Sequence, residues 1–435
     1  MTRIEHKTFR AGWTRLILAA VATLLAAAAN AAVSGSGGTS FNLTATDGQI
    51  SVSDGGSIYM WGYSAPDGTT MQLPGPTLIV NEGDTVTVTL TNNLPSAAGN
   101  TSIVFPGHDV TVDALDPGVD GDLTQEAAPG GSVTYTFTAG APGTYQYHSG
   151  TQPDLQVEMG LYGAIIVRPT TIATPDGMAG CAYNHTGSCY DREYLYILSE
   201  IDLDIHETAA LQANGDGPIV LPVGAYHSEY WLLNGRAAPD TMAPDYDASL
   251  PTQPYGSLST MYPGQKVLVR LVGAGREMHP FHTHGNHLRK IAQDGRMIVN
   301  GVGNLAGPTI FTVPTLPGGT VDGIFEWTGK GLGWDMYGHA PGDPLEPFEW
   351  AEDHGKPLPV DLPAISSLAF GGFYSGSPFL GALGALPPGE GGLNPNAGFA
   401  YMWHSHTERE LTNNDIYPGG MLTMMIIEAR PATTP

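Results

Sequence analysis

The sequence predicts an all-β protein built from Greek-key β-sandwiches. Glycine and proline are abundant, at 58 and 35 of 435 residues, and charged residues make up only 14%. This composition favours many short strands joined by turns over long exposed helices. Strict apolar–polar alternation in Thr85–Thr91 and Ser132–Thr138 indicates strands with one buried face. A chain of this length can form two domains, each with its own core.

Residues 1–31 have the pattern of a signal peptide. Four basic residues precede an apolar run from Leu16 to Ala32, which contains the A-x-A cleavage pattern Ala29-Asn30-Ala31. The run is short and rich in alanine, so we expect cleavage and a secreted or periplasmic chain with no membrane insertion. No adjacent arginine pair is present. Export of the unfolded chain, with metal loaded outside the cytoplasm, is therefore expected.

The mature chain is strongly acidic. Lys and Arg number 17 against 42 Asp and Glu, and removal of four basic residues and Glu5 with the signal changes the net charge to −25 − 4 + 1 = −28. Such a surface repels nucleic acid and anionic membranes and attracts cations, including metal ions. The same acidity also keeps an exported protein soluble, so it does not by itself indicate a metal site.

The first β-domain is predicted from residue 32 to residue 170. It follows a Gly/Ser-rich leader at Ser34–Ser40, which is expected to be disordered. More than seven short segments in about 130 residues are typical of a Greek-key sandwich. The predicted strands are Phe41–Thr46, Ile50–Ser53, Ser57–Ser64, Thr77–Val80, Thr85–Thr91, Thr101–Phe105, Ser132–Thr138, Gly143–His148 and Leu161–Val167.

Residues 171–191 are predicted to be a linker that contains both cysteines of the chain. Cys181 and Cys189 form an even pair in an exported protein, which predicts a disulfide across a short loop. A metal site that also uses His185, which lies between them, is the alternative. Neither interpretation leaves a cysteine to serve as a metal thiolate elsewhere.

The second β-domain is predicted from residue 192 to residue 435, with one helical turn within Ile201–Ala213. A Pro/Gly-rich insertion of about residues 330–396 interrupts it; its length without strand periodicity is typical of a functional or covering loop. The predicted strands are Glu193–Leu198, Tyr230–Asn234, Lys266–Val272, Met278–His284, Leu288–Ala292, Gly319–Trp327, Ala400–His406 and Met421–Glu428.

Two short segments of this domain contain five of the 14 histidines. One is M-H-P-F-H-T-H-G at Met278–Gly285, and the other is W-H-S-H at Trp403–His406. Side chains alternate between the two faces of a strand, so the histidines of each H-x-H share a face. Two such strands side by side would place four imidazoles on one surface, and neutral imidazole is the commonest protein ligand for copper and zinc.

These motifs, taken with others in the chain, resemble the multicopper oxidases and the related copper nitrite reductases. The resemblance covers most of the mature chain outside the insertion, and the order of the motifs makes it specific. The matching segments are Pro74–Pro95 (P-G-P-T-L-I-V-N-E-G-D-T-V-T-V-T-L-T-N-N-L-P), Gly143–Gly150 (G-T-Y-Q-Y-H-S-G), Gly160–Val167, Trp231–Arg236 (W-L-L-N-G-R), His279–Gly285 and Trp403–His406. The resemblance implies two cupredoxin-like Greek-key β-sandwich domains.

The resemblance also implies copper ligands, but several motif positions depart from the family pattern. The first H-x-H of the family is replaced by Val104-Phe105-Pro106, with only His108 nearby, and the second is reduced to His148-Ser149-Gly150. With three of the eight histidine positions lost, the resemblance implies one or two copper ions of type 2 or type 3 character. The expected ligands are His148, His284, His404 and His406, with His282 and His108 as further candidates.

The blue, type 1 copper site is expected to be absent. Such a site needs a thiolate, two imidazoles and a weak axial ligand. By the resemblance, Ser405 replaces the thiolate, Glu410 stands at the position of the second imidazole, and only His279 remains. This loss would also remove the family's electron path, which runs from the cysteine to its two flanking histidines.

One glutamate and one acidic segment are further candidates for functional sites. Glu410 closely follows the H-S-H segment and is a candidate proton donor, since reduction of oxygen or nitrite consumes protons. The segment Trp334–Gly355 of the insertion is a candidate site for a hard cation or a substrate metal, or else a solvated acidic loop. Its candidate ligands are Asp335, His339, Asp343, Glu346, Glu349, Glu352, Asp353 and His354.

The sequence therefore predicts an exported, copper-binding, multicopper-oxidase-like oxidoreductase without a blue copper site. Its partners would be oxygen or a small-molecule substrate, and the family implies a homotrimer with copper between a first and a second domain. Two alternatives remain, namely a non-catalytic protein that binds or sequesters copper, and a structural extracellular module that lost the chemistry. Five histidines at matched ligand positions favour metal binding over packed or hydrogen-bonded histidines.

Overall fold

The computed structural model describes residues 33–64, 68, 70–215, 217–221, 224–330, 332–335, 339–345, 349–357, 376–377 and 399–428. The predicted signal peptide, residues 1–31, lies outside the described residues. Strands are the main regular secondary structure of the described residues and form four larger sheets and one two-stranded ribbon, so the predicted all-β fold class is confirmed. No described helix combines the length and the apolar character needed to cross a membrane.

The first β-unit contains ten strands in two sheets. The smaller sheet has the order β1-β5-β10-β9, and the larger has the order β4-β3-β2-β6-β8-β7. The strands are β1 Ser36–Gly37, β2 Ser40–Ser51, β3 Ser57–Ser64, β4 Met71–Gln72, β5 Leu78–Asn81, β6 Thr85–Asn92, β7 Val110–Val112, β8 Ser132–Thr138, β9 Gly143–His148 and β10 Tyr162–Arg168. A four-residue helix, α1 (Pro153–Gln156), precedes β10.

Three expectations for this unit are corrected. The Gly/Ser leader is partly ordered, because β1 pairs in parallel with β5 and Gly35 lies so close that a Cβ there would be 2.4 Å from the Thr77 carbonyl oxygen. The two strands predicted at residues 41–46 and 50–53 form the single strand β2. The segment predicted as a strand at Thr101–Phe105 makes only isolated bridges, to Ala127 and His148.

The two cysteines lie in a short ribbon of β11 (Gly180–Cys181) and β12 (Cys189–Tyr190) that connects the two units. Cys181 and Cys189 are joined by a disulfide, as predicted. The alternative metal site with His185 is wrong, because both thiols are consumed and the His185 ring accepts a hydrogen bond from the Gly187 amide at 2.9 Å.

The second β-unit also has two larger sheets. One has the order β14-β13-β16-β22-β18-β19 with β20 on β18, and the other has the order β15-β25-β24-β17-β21 with β23 on β24. The strands are β13 Arg192–Ile201, β14 Tyr230–Leu233, β15 Ser259–Met261, β16 Lys266–Gly273, β17 His279–Thr283, β18 Leu288–Gln293, β19 Arg296–Met297, β20 Thr309–Ile310, β21 Thr312–Thr315, β22 Thr320–Glu326, β23 Gly376–Ser377, β24 Phe399–Ser405 and β25 Leu422–Ile427.

The helical turn predicted within Ile201–Ala213 is a full helix, α2 (Leu203–Gln212). Asp202 caps it, because its carboxylate accepts hydrogen bonds from the amides of Asp204 and Ile205 at 3.1 and 3.4 Å. An aspartate at this position satisfies amides that the first helical turn leaves without partners. The cap at Asp202 is the sequence signal from which the longer helix could have been predicted.

A buried ionic network fastens the two units together. Arg270 of β16 is fully buried, with Nε donating to Glu193 at 2.6 Å and Nη1 donating to the Thr144 hydroxyl of β9 at 2.7 Å. Thr144 in turn donates to Asp322 of β22 at 2.6 Å. Burial alone would raise the pKa of Glu193, but Arg270 and Arg168 lower it to about 2. The charges are therefore paired, as a buried ion needs, and they connect β9 to the second unit.

Candidate metal centre

Strand pairing brings the two histidine motifs together. β17 and β24 are antiparallel, and His282 lies directly opposite His404. Their neighbours Phe281 and Trp403 are fully buried in the core of the second unit. Because side chains alternate along a strand, His282 and His404 project from the opposite, outer face of the same sheet.

Three imidazoles converge on this outer face. The Nε2 atoms of His284 and His404 are 3.2 Å apart. One ring nitrogen from each of His282, His284 and His404 lies within 4.8 Å of the others. The His406 ring centroid is 4.6 Å from that of His282, although the His406 side chain is exposed. We call His282, His284 and His404 the histidine centre.

Neighbouring oxygen atoms orient two of these rings. His404 Nδ1 is 2.6 Å from the carbonyl oxygen of Ser405, so Nδ1 carries a proton and donates it. In the neutral ring, Nε2 then has a lone pair, and it faces His284. His282 Nδ1 is 2.7 Å from the Thr312 hydroxyl. Such hydrogen bonds fix the orientation of metal-binding imidazoles.

The electrostatics keep these rings neutral. Burial, together with neighbouring histidines, lowers the pKa of His282 to about 3. Burial lowers the pKa of His404 to about 4, despite the opposing hydrogen bond to the Ser405 carbonyl. At neutral pH both rings therefore expose a lone pair, and the neutral imidazole is the form that binds transition metals. The donor set and its protonation state fit a copper ion.

The two histidines proposed from the first unit do not join this group. His148 ends β9, and its Nδ1 donates to the Ser149 carbonyl at 2.9 Å. His108 packs between the rings of Phe137 and Tyr145, at centroid distances of 4.7 and 4.6 Å. Neither ring nitrogen of His108 has a hydrogen-bond partner among the described residues. Burial lowers the pKa of both histidines, so both are neutral at pH 7.

Glu410 lies away from the outer face. It is buried, and its Oε2 is 2.9 Å from Nδ1 of His279. His279 and Phe281 share the inner face of β17, opposite to His282. The structure therefore places Glu410 behind the strand that carries the histidine centre, and its role as a proton donor remains a prediction.

A second carboxylate, missed from the sequence, completes this inner cluster. Glu200 Oε2 is 2.8 Å from Nε2 of His279, so the imidazole lies between two buried carboxylates. The amides of Arg276 and Glu277 also donate to Glu200. A Cβ at Gly275 would meet Glu200 Oε2 at 1.9 Å. The segment G-A-G-R-E (Gly273–Glu277), which precedes β17, thus leaves room for the Glu200 carboxylate. The sequence alone does not identify Glu200 as the residue that packs there.

The inner cluster holds its imidazole as a cation. Burial alone would lower the pKa of His279, but the hydrogen bonds and charges of Glu200 and Glu410 outweigh it and raise this pKa to about 9. Two carboxylates and one imidazolium then form a buried group in which both ring nitrogens are engaged. We call Glu200, His279 and Glu410 the inner triad.

The raised pKa of His279 predicts that stability falls in mild base. The folded-state pKa exceeds the unfolded value of about 6.5, so the stabilisation is complete below about pH 6.5 and is lost as the pH rises through about 9. A difference of this size corresponds to a loss on the order of 3 kcal/mol in the free energy of unfolding. Urea unfolding between about pH 6 and pH 10 measures it.

His279→Gln is the matched variant for this prediction. It is expected to be less stable than the wild type at pH 6 and to show a flatter pH profile above neutrality, because glutamine does not titrate. Equal slopes for both chains between about pH 7 and pH 9 would mean that His279 is not the titrating group.

Comparison with known proteins relates part of the chain to a family. The family model for multicopper oxidases matches residues 55–171. Relatives include laccase abr2 of Aspergillus fumigatus, 36% identical over 116 residues, which are 25% of this chain and 19% of that protein. Copper resistance protein A of Escherichia coli is 32% identical over 164 residues, 38% of this chain and 21% of that protein. The chain thus spans about a fifth of the length of these relatives.

Solved structures extend the likeness to the fold of both β-units. A blue copper oxidase from Nitrosomonas europaea has a TM-score of 0.53 at 19% identity, covering 89% of this chain and 85% of that one. Copper nitrite reductase from Nitrosomonas europaea has a TM-score of 0.50 at 18% identity, covering 91% and 95%. This likeness shows the cupredoxin-like fold of both β-units, and residues 55–171 also match the multicopper oxidase model by sequence.

The motif resemblance predicts a meaning for the inner triad that its geometry alone lacks. By that resemblance, His279, Ser405 and Glu410 are expected at the positions where multicopper oxidases hold the blue copper ion. Here Ser405 is fully buried on the inner face, and a carboxylate faces the imidazole nitrogen at 2.9 Å. Among the described residues the only cysteines are the disulfide pair Cys181 and Cys189. Together with Glu200, these residues offer one imidazole, one hydroxyl and two carboxylates.

Proposed function

We propose that this protein is an exported copper-binding oxidoreductase of the multicopper oxidase type that lacks the blue copper site. The observation that carries the proposal is the histidine centre, in which three imidazoles converge and two are held neutral by burial. His282, His284 and His404 would hold a copper ion, with His406 beside them. A bound copper ion supplies one-electron redox chemistry to oxygen, a nitrogen oxide or a small reductant.

The absence of blue copper is part of the same proposal. A serine hydroxyl is a poor copper ligand because its pKa is high, and a carboxylate occupies the position of the second imidazole. Both nitrogens of His279 already bind carboxylates at 2.8 and 2.9 Å. The inner triad thus occupies the position that a blue copper ion would have in the core of the second unit. Without the cysteine relay, electrons would have to enter at the histidine centre itself, and one or two copper ions of type 2 or type 3 character are expected.

In a homotrimer, His148 and His108 of one copy would contribute to the copper site of another copy. They are not part of the histidine centre within one chain, so a copper ion bound by both units would need a second copy. Phe311 is 44% exposed and packs against the rings of His282 and His287, at 5.6 and 5.0 Å. Aromatic residues are enriched at protein interfaces, so Phe311 supports an interface with a second copy at this position. Cross-linking and light scattering of the copper-loaded chain measure the assembly.

Copper sequestration is the second candidate function. Residues of this chain match copper resistance protein A of Escherichia coli, and that name supports a role in copper resistance. The negative net charge, −25 − 4 + 1 = −28 for the chain without its predicted signal, would attract copper ions in an exported setting. In this role the same histidines bind copper, but the chain has no electron path to a substrate.

Turnover by the copper-loaded mature chain distinguishes these functions. Oxygen uptake with a phenol, and nitrite loss with a small reductant, would be measured for the wild type and for His404→Ala. We expect copper-dependent turnover in the wild type and none in the variant. Copper retention without turnover in either assay would support sequestration. A chain that retains no copper would support the structural module.

A further inference from the structure

A second cluster of metal-binding side chains lies in the insertion after β22. One ligand atom from each of four residues lies within 4.8 Å of the others, and this group is distinct from the histidine centre. Asp343, Glu352 and Asp353 are not members of the group, and Glu346 lies outside the described residues. The four members are Asp335, His339, Glu349 and His354.

The distances between these atoms suit a tetrahedral metal ion. His339 Nδ1 is 3.1 Å from Asp335 Oδ2 and 3.3 Å from Glu349 Oε1. His354 Nδ1 is 2.7 Å from Glu349 Oε1 and 3.8 Å from Asp335 Oδ2. A tetrahedron of ligands about 2.1 Å from a central ion has edges of about 3.4 Å. The four measured edges lie on both sides of that value.

The tautomer of His354 favours a metal ligand. Its Nε2 is 2.9 Å from the Asp343 carbonyl oxygen, so Nε2 carries the proton and donates it. In the neutral ring, Nδ1 then presents its lone pair to a carboxylate oxygen 2.7 Å away. Two acceptors at this distance need a cation between them, either a proton or a metal ion. A hydrogen bond from the outer ring nitrogen to a backbone carbonyl is the usual support of a metal-binding histidine.

The two carboxylates are held in place. The side chain of Asp335 is fully buried and that of Glu349 is 2% exposed. Trp334, next to Asp335, packs in the core of the second unit. The Gly355 amide donates to Asp335 at 2.7 Å, and the Asp335 amide donates to the Lys356 carbonyl at 3.0 Å. These hydrogen bonds join Asp335 to Gly355 and Lys356. Trp334 connects Asp335 to the core of the second unit.

We propose that these four side chains bind one divalent first-row transition-metal ion of the Zn²⁺ type. Two imidazole nitrogens and two carboxylate oxygens match the borderline ligands that zinc and cobalt use. Calcium and magnesium prefer all-oxygen sites with more ligands, so the hard cation expected from the acidic sequence is the less suitable occupant. The ion links His339, Glu349 and His354 to Asp335, whose neighbour Trp334 packs in the core of the second unit.

Cobalt titration of the full mature chain tests this site. The background is His284→Ala/His404→Ala, which removes two ligands of the histidine centre. In this background we expect one tightly bound Co²⁺ with the visible absorption of a tetrahedral complex, displaced by one equivalent of Zn²⁺. Glu349→Gln, added to the background, is expected to weaken Co²⁺ binding by more than about 100-fold, because loss of a direct ligand exceeds the effect of losing an outer-shell partner.

The control is Glu352→Gln, which makes the same change of charge at an exposed position of the same segment. It is expected to leave cobalt affinity within about twofold, since the electrostatic effect of one exposed charge is small. His354→Ala is a second test, and circular dichroism without metal checks that each variant is folded. Equal losses for Glu349→Gln and Glu352→Gln, or no tight cobalt binding by the folded background chain, would overturn the proposal.

Discussion

The His404→Ala variant is expected to lose copper. His404 contributes an Nε2 that faces His284 at 3.2 Å, and its Nδ1 is already committed to the Ser405 carbonyl. Alanine removes a ligand and leaves two imidazoles, so we expect copper affinity to fall by more than about 100-fold, which is about 2.7 kcal/mol. Copper content after dialysis against a weak chelator measures the effect, and His284→Ala is expected to behave in the same way.

His227→Ala is the control for this prediction. The His227 side chain is 59% exposed and pairs with Glu229, and it is not a member of the histidine centre. Its copper content is expected to equal that of the wild type. Each variant is also measured together with Glu349→Gln, so that copper held by the insertion is not counted. Copper content unchanged in His404→Ala/Glu349→Gln would show that the histidine centre is not the copper site.

The double variant Ser405→Cys/Glu410→His is expected to turn blue with copper. Glu410 meets Nδ1 of His279, so the new imidazole would enter beside that nitrogen while Glu200 keeps its hydrogen bond to Nε2. A thiolate and two imidazoles then share the inner face of the second unit, which is the donor set of a blue copper site. The predicted result is a new, intense visible absorption after addition of Cu²⁺.

Single variants separate the two contributions. Ser405→Cys alone supplies the thiolate but leaves Glu410 on His279, so no intense blue band is expected. Glu410→His alone lacks the thiolate and is likewise expected to be colourless. If the folded double variant binds copper without the band, or if Ser405→Cys alone is blue, the assignment of these positions to a lost blue copper site is wrong.

The strands and the histidine pairing follow from local sequence pattern. Alternation along the predicted strand Met278–His284 puts His282 and His284 on one face and Phe281 on the other, and β17 covers His279–Thr283 of it. The pairing of β17 with β24 agrees with the family motif order, and the register sets His282 against His404. These features are predictable because a strand of period two fixes which residues share a face.

The family resemblance places Glu410 at the same site as His279, but Glu200 of the inner triad could not be predicted. Glu200 is 79 residues from His279, and no motif identifies it as a partner. Proximity in sequence suggested that Glu410 would lie near His406, but its buried side chain turns to the inner face. His148 shows the same limit of sequence reasoning. Its motif matches the family, but the structure does not bring its ring to the histidine centre.

Spectra of the copper-loaded wild-type mature chain test the central claim most directly. Copper content, visible absorption and electron paramagnetic resonance would be recorded on one sample after removal of loosely bound metal. We expect bound copper with the resonance of an imidazole-ligated type 2 ion, or paired copper without that signal, and no intense blue band. An intense blue band, or the absence of tightly bound copper, would contradict a histidine copper centre without blue copper.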